Sequence, residues 1–385
     1  MDHIPFSGIR KVFEEANRLQ KEGKDIIHLG IGRPDFDTPQ HIKDAAIKAL
    51  KDGEVHYTSN YGHADLIDAV REKLYKDNHV YVKDNEIIIT VGVNEAVSLA
   101  MMATLNPGDE ILVPNPSWSH YFYCAELAGA KSVSYPLFEE NNFSLNPNDI
   151  EKLITPKTKM IVVNTPHNPT GAVLDKSTLE QVASLAKKHD LLVLSDEIYE
   201  KLIYEDAVHD SIASLPNMDE RTIVVNGFAK AYSMTGWRIG YLAGPKELID
   251  AAVRVHQYTV TCATSFAQRG AEAALRGSQS CVENMRLAFD QRRKLVIDSV
   301  RKMNGLNVVP PKGAFYAFIN TSNLGMTDEK AAHYFLHEAN VAVVPGSAFG
   351  KFGKGYVRLA FSNSYENIAV AMERIEKQVN KIKTI

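Results

Sequence analysis

The chain has 385 residues, 45% of them apolar and 23% charged, with no biased tract; this excludes disordered and fibrous classes and leaves room for about two or three domains. Its 43 Lys and Arg against 47 Asp and Glu, a net charge of −4, offer no electrostatic footprint for nucleic acid or an anionic membrane. The longest apolar stretch, Ala96 to Leu105, is about half of the ~20 residues a membrane span needs, the opening residues carry Asp2, Glu14 and Glu15 rather than a signal pattern, and Cys124, Cys262 and Cys281 match neither a CxxC pair nor a zinc spacing, so a soluble protein in a reducing cytoplasm is expected.

Short apolar, β-branched runs alternate along the chain with longer amphipathic ones, most of them closed by Gly, Pro or Asn. The pattern predicts strands at Ile87 to Val91, Glu110 to Pro114, Ser132 to Tyr135, Met160 to Asn164, Leu191 to Ser195, Thr222 to Asn226 and Arg238 to Ala243. Helices are predicted at 94–105, 119–128, 176–189 and 246–257. Repeated βα units of this kind make an α/β fold, with a mostly parallel seven-stranded sheet covered by helices. From about residue 280 the rhythm changes: a long charged helix, Glu283 to Met303, leads to strands near 314–319 and 356–361. The expected organisation is a large domain over 46–280 and a smaller α+β domain made of both chain ends, 1–45 plus 281–385.

Ligands of an open parallel sheet sit beyond the carboxyl ends of its strands, and four such ends are polar in unusual ways. The run MIVVN leads into Thr165-Pro166-His167-Asn168-Pro169-Thr170-Gly171, LLVLS into Asp196-Glu197-Ile198-Tyr199, and TIVVN into Gly227-Phe228-Ala229-Lys230. Arg238 comes eight residues after that lysine, behind Met234-Thr235-Gly236-Trp237. Each is ordinary alone, a turn former, a helix cap or a solvated lysine. Together they set an amide, a carboxylate, a phenol, an amine and a guanidinium on one sheet edge. Pyridoxal 5'-phosphate is a cofactor that would use all five: its aldehyde takes a lysine amine, its ring nitrogen a carboxylate, and its phosphate an arginine with backbone N–H donors.

NxPHNPTG, SDEIY and AKxxxMTGWRxGY, in this order and spacing, resemble the class I and II aminotransferases of the fold type I pyridoxal-phosphate enzymes, and the resemblance runs from Leu29-Gly30-Ile31-Gly32-Arg33-Pro34-Asp35-Phe36 to Arg358. It implies that Lys230 is the Schiff-base lysine and proton shuttle, Asp196 the partner of the pyridine nitrogen, and Asn168 and Tyr199 the donors to the phenolic oxygen. Arg238 then takes the phosphate, with the backbone of Val93 and Asn94 at the start of the helix after Gly92. Trp118 stacks on the ring, and Tyr57 reaches the phosphate of a neighbouring subunit, which implies a homodimer with shared sites. Arg358 pairs with the substrate α-carboxylate and Gly32 adds a backbone N–H.

Three positions depart from the family. Gly227 stands among the cofactor contacts where a phosphate-binding Ser is frequent, so one hydrogen bond is lost or replaced. Arg33 stands where Glu is frequent, beside the substrate entrance, and Asn94 where some aspartate-specific members carry a lysine. The implied activity is transfer of an amino group between L-amino acids and 2-oxo acids by a ping-pong mechanism, with 2-oxoglutarate and glutamate as one pair and aspartate, an aromatic or a large apolar amino acid in the other. Phe6, Tyr61 and Tyr258 are expected to line an apolar side-chain pocket. A carbon–sulfur β-lyase on the same fold is the alternative. A nicotinamide dehydrogenase is excluded by position 35, an Asp where the third Gly of a dinucleotide fingerprint would stand. His333 and His337 lack the Glu of HExxH, and no metal site is expected.

Overall fold

The computed structural model describes residues 4–6 and 8–382. The chain opens with helix α1 (Gly8–Lys21), strand β1 (Ile27–His28), α2 (Gln40–Lys51) and α3 (Ala64–Asn78). Then come β2 (Ile87–Thr90), α4 (Gly92–Thr104), β3 (Glu110–Asn115), α5 (His120–Leu127), β4 (Lys131–Pro136), α6 (Pro147–Glu151) and β5 (Thr158–Asn164). The middle of the chain continues with α7 (Lys176–Lys188), β6 (Leu192–Asp196), β7 (Thr222–Gly227), β8 (Gly240–Ala243), α8 (Lys246–Thr259), α9 (Ser265–Arg276) and α10 (Ser280–Arg301). The last stretch holds β9 (Asn307–Val308), β10 (Tyr316–Asn320), α11 (Asp328–Glu338), β11 (Val341–Ala342), β12 (Val344–Pro345), β13 (Tyr356–Ala360) and α12 (Tyr365–Val379).

Strands β2 to β8 form one seven-stranded sheet in the order β2-β8-β7-β6-β5-β3-β4. All but the edge strand β4 are almost wholly buried, as an apolar run with helices on both faces must be. Side chains alternate: Ile111 and Val113 face the helices α4, α5 and α8, while Leu112, Ile161 and Val193 face α7. All pairings are parallel except those of β8, which runs antiparallel to both β2 and β7. The seventh strand begins at Gly240 rather than Arg238. Arg238 itself is left-handed (φ 56°) after a single 3-10 turn over Thr235–Trp237, so the chain turns sharply before entering the sheet. Helices α1, α2, α3, α6, α9, α11 and α12 were not among the sequence-based elements.

The second sheet is antiparallel, in the order β12-β13-β10-β9, and β1 pairs in parallel with β11. Leu29 bridges the two, donating its N–H to Ala342 and accepting from Ala360, so the early chain is stitched to the late chain. A separate core of Phe289, Val296, Ala317, Ile319, Ala371 and Ile375 fills this part and extends to Ile198 and Leu202, just beyond β6. The carboxyl ends of β5 and β6 therefore look into the seam between the two sheets.

Candidate active site

A cavity of about 380 Å³ opens at that seam. Lys230, Asp196, Tyr199, Asn168, Arg238, Trp118, Val93, Asn94, Gly32, Arg33 and Arg358 all line it. Two of the expected cofactor contacts, Tyr57 and Gly227, stand outside the lining. Tyr57 is 86% exposed, and the Gly227 N–H is already donated to Asn226 Oδ1 at 2.7 Å.

Register brings the polar groups together. Asn164, Asp196 and Val225 are consecutive partners across β5, β6 and β7, so the segments leaving the three strands emerge at one level. Asp196 is buried, and its carboxylate accepts the Tyr121 hydroxyl at 2.6 Å and the Ile198 N–H at 3.1 Å. Burial lifts its proton affinity to about pKa 6, with the Tyr121 hydrogen bond acting against that rise. Lys230 Nζ donates to the Gly32 carbonyl at 2.7 Å. Burial, with the Arg358 and Arg238 charges, lowers its pKa to about 8, so roughly a tenth of the amine is neutral at neutral pH, far more than in a free lysine. Tyr199 and Tyr316 share a hydrogen bond at 2.7 Å, and burial pushes the Tyr199 phenol well up, so it keeps its proton.

Arg358, on β13, reaches the cavity from the second sheet and is 1% exposed. Its fork is set by Asn168 Oδ1 at 2.9 Å and the Gly30 carbonyl at 2.6 Å, with the Tyr316 and Phe349 rings against the guanidinium plane. Its Nε is buried without a partner. Arg238 donates to the Thr235 carbonyl at 3.1 Å and lies against the first turn of α4, which carries no capping side chain. Gly92 permits this: at φ 74° a Cβ there would come within 2.6 Å of Arg238 Nη2. Among the described residues no carboxylate forms an ion pair with Arg358, Arg238 or Arg33. Three unpaired guanidiniums and a helix N-terminus therefore face one cavity, an arrangement that calls for anionic ligands.

Tyr121 and Tyr316 were missed in the sequence. Tyr121 stands three residues after Trp118, a spacing that puts both on one side of a turn; Tyr316 offered no local signal, because its partners are remote in the chain. Within one chain the expected aromatic pocket does not form: Phe6 is 86% and Tyr258 87% exposed, and Tyr61 donates its hydroxyl to Asp250 at 3.2 Å. Behind Asp196, Glu197, Glu200 and His209 bring potential metal-ligand atoms within 4.8 Å of one another. Their oxygens are already engaged by Ser195, Ser211, Asn78 and the Lys73 ammonium, which takes the place a cation would.

A family model described as Aminotransferase class I and II matches residues 24–375. The chain is 47% identical to an aspartate aminotransferase of Pyrococcus abyssi, with 100% of this chain and 98% of the relative covered. It is 44% identical to the aromatic-amino-acid aminotransferase 2 of Thermococcus litoralis, covering 98% and 97%. The solved aromatic aminotransferase of Pyrococcus horikoshii superposes with a TM-score of 0.91 at 46% identity, over 95% of this chain and 99% of that one.

Proposed function

This chain belongs to the aminotransferases of class I and II, enzymes that depend on pyridoxal phosphate, and on that premise we propose that it exchanges amino groups between glutamate and a range of dicarboxylic and aromatic or large apolar L-amino acids through their 2-oxo acids. One observation carries the reading: a partly buried lysine of lowered pKa, a buried carboxylate of raised pKa and three guanidiniums without carboxylate partners face a single cavity.

The cavity fits the cofactor. In this reading Arg238 and the uncapped first turn of α4 at Val93 and Asn94 hold the phosphate. Trp118 faces the ring, Asp196 takes its nitrogen, and Tyr199 with Asn168 takes its phenolic oxygen. Once bound, the cofactor supplies an aldehyde carbon that carries the amino group and a protonated ring that draws electron density from the substrate Cα. Lys230 Nζ takes the Cα proton. The partnerless Nε and the two oriented Nη groups of Arg358 hold the α-carboxylate, and Gly32 closes on it from the other side. Gly227 belongs to this phosphate end through its place in the chain between Asn226 and Lys230, without a side chain to offer.

Residues 46–280 act here as the cofactor-binding body. Residues 1–45 plus 281–385 close on the substrate; α2 straddles the first boundary, and Gly32 and Arg358 come from the closing part. Tyr57 and Tyr258, both highly exposed, are surfaces for a second copy in a homodimer that shares its sites. Among the described residues no helix is long and apolar enough to cross a membrane, and the cytoplasm is the setting proposed. The relatives named above are aminotransferases, which favours that activity over the β-lyase alternative.

Arg33 is the distal reader in this proposal, free to pair with a carboxylate or stack on a ring. A donor panel with 2-oxoglutarate tests it. Aspartate and phenylalanine should both be accepted, and Arg33→Ala should lower kcat/KM for aspartate about tenfold more than for phenylalanine, the worth of a charge-assisted hydrogen bond. Equal losses would remove Arg33 from side-chain recognition.

A further inference from the structure

The entry into α5 carries more of the site than Trp118 and Tyr121, the two residues there that line the cavity. The His120 ring stacks on Trp118, with centroids 4.4 Å apart and planes 26° from parallel. Its Nε2 lies 3.0 Å from the main-chain carbonyl of Asn94. A carbonyl oxygen only accepts, so Nε2 carries the hydrogen and the tautomer is fixed. Burial lowers the proton affinity of this imidazole, which leaves it neutral at neutral pH. Around it the donors form a closed set: Ser98 Oγ also donates to the Asn94 carbonyl at 3.0 Å, and the Cys124 thiol lies 3.2 Å from both Ser98 Oγ and His120 Nε2. His120 does not itself line the cavity, whereas Trp118 and Asn94 do.

We propose that His120 is a positioning residue that ties the Trp118 ring to the first turn of α4 and so fixes the separation between the aromatic wall and the anion-binding end of the cavity. The proposal rests on the reading that these two walls hold pyridoxal phosphate. It makes His120 act on the cofactor only through Trp118 and Asn94. Ring stacking and hydrogen bonding are separable functions of the imidazole, and each should be worth part of the effect. Without the stack, Trp118 is free to tilt. Without the N–H, the Asn94 carbonyl keeps only Ser98 as a side-chain donor, and the turn presenting the Val93 and Asn94 N–H groups loses its tie to α5.

Cofactor-free wild type, His120→Ala, His120→Phe and His120→Gln are titrated with pyridoxal phosphate, recording the dissociation constant and the visible absorption maximum, alongside the unfolding temperature of each cofactor-free protein. Phe keeps a ring without the N–H and Gln keeps a donor without the ring. Each should weaken binding about fivefold, the scale of one neutral hydrogen bond or one aromatic contact. Ala should weaken it by roughly the product, about 25-fold, and shift the absorption maximum. If the four proteins bind alike with one maximum, or if Phe and Gln are no better than Ala and affinity merely follows unfolding temperature, the positioning role is overturned. A wild type that takes up no pyridoxal phosphate overturns the cofactor reading beneath it, which the variants' equality alone would not.

Discussion

The Tyr121 hydroxyl donates to the Asp196 carboxylate across 2.6 Å, with both side chains 1% exposed. The bond joins the first turn of α5 to the end of β6 and holds Asp196 Oδ2, while the Ile198 N–H holds Oδ1, so the plane of the carboxylate is fixed from both sides.

Tyr121→Phe removes the donor that holds the Asp196 pKa down, so that pKa should rise above about 6. The carboxylate then pairs less well with a protonated ring nitrogen, and kcat should fall about tenfold, the equivalent of one charge-assisted hydrogen bond. The same shift sets the sign of the stability effect. A carboxyl raised from 3.8 to about 6 favours the folded cofactor-free protein fully below pH ~4 and loses that contribution as pH rises through ~6. Denaturant titrations of cofactor-free wild type and Asp196→Asn between pH 4 and 7 should diverge in that window; parallel curves would show that Asp196 titrates normally.

Lys230 has the opposite sign. Its amine is lowered from 10.5 to about 8, so uptake of pyridoxal phosphate by the cofactor-free protein, which needs the neutral amine, should accelerate with pH and level off above about 8. Stopped-flow absorbance reads this directly, and a midpoint near 10 would refute the lowered pKa. Lys230→Ala should lose about 10⁴-fold in transamination, because among the described residues no second lysine lines the cavity to carry the Cα proton.

Gly227→Ser restores the residue frequent in the family, yet it should not create a better phosphate site. A Cβ at Gly227 would lie 2.8 Å from Gly240 Cα and 3.0 Å from the Ile239 carbonyl, because β7 and β8 approach with glycine opposite glycine. The expected result is a loss of stability of roughly 1–3 kcal/mol with no gain in cofactor affinity. Tighter binding at unchanged stability would show that the two strands can part.

Tyr57→Ala tests the shared site. Exposed within one copy, Tyr57 can affect the cofactor only from a neighbour, so the variant should bind pyridoxal phosphate several-fold more weakly while its own lysine and arginines are intact. Mixed with Lys230→Ala under conditions of subunit exchange, it should regain wild-type affinity at the sites that combine an intact Lys230 with an intact Tyr57. Fluorescence titration of the mixture measures that fraction, and its absence would leave Tyr57 without a role.

Much of this was open to the sequence, because it is local. Val162, Leu194 and Val224 record a helix-covered strand in their own neighbourhoods, and the residue ending each run, Asn164, Ser195 or Asn226, marks the sheet edge where ligands gather. The motifs around Lys230, Asp196, Asn168 and Arg238 likewise name their chemistry without reference to distant chain. Only the tertiary structure decided what those residues touch. Arg358 meets the Gly30 carbonyl across 328 positions and Asn168 across 190, Tyr199 meets Tyr316 across 117, and Tyr121 meets Asp196 across 75. Periodicity tells which face of an element is buried, but not what another element will lay against that face. The same limit applies beside Tyr61 and Gly227: only the tertiary structure brings Asp250 of α8 to the Tyr61 hydroxyl and sets Gly240 of β8 against Gly227, leaving no volume for a side chain there.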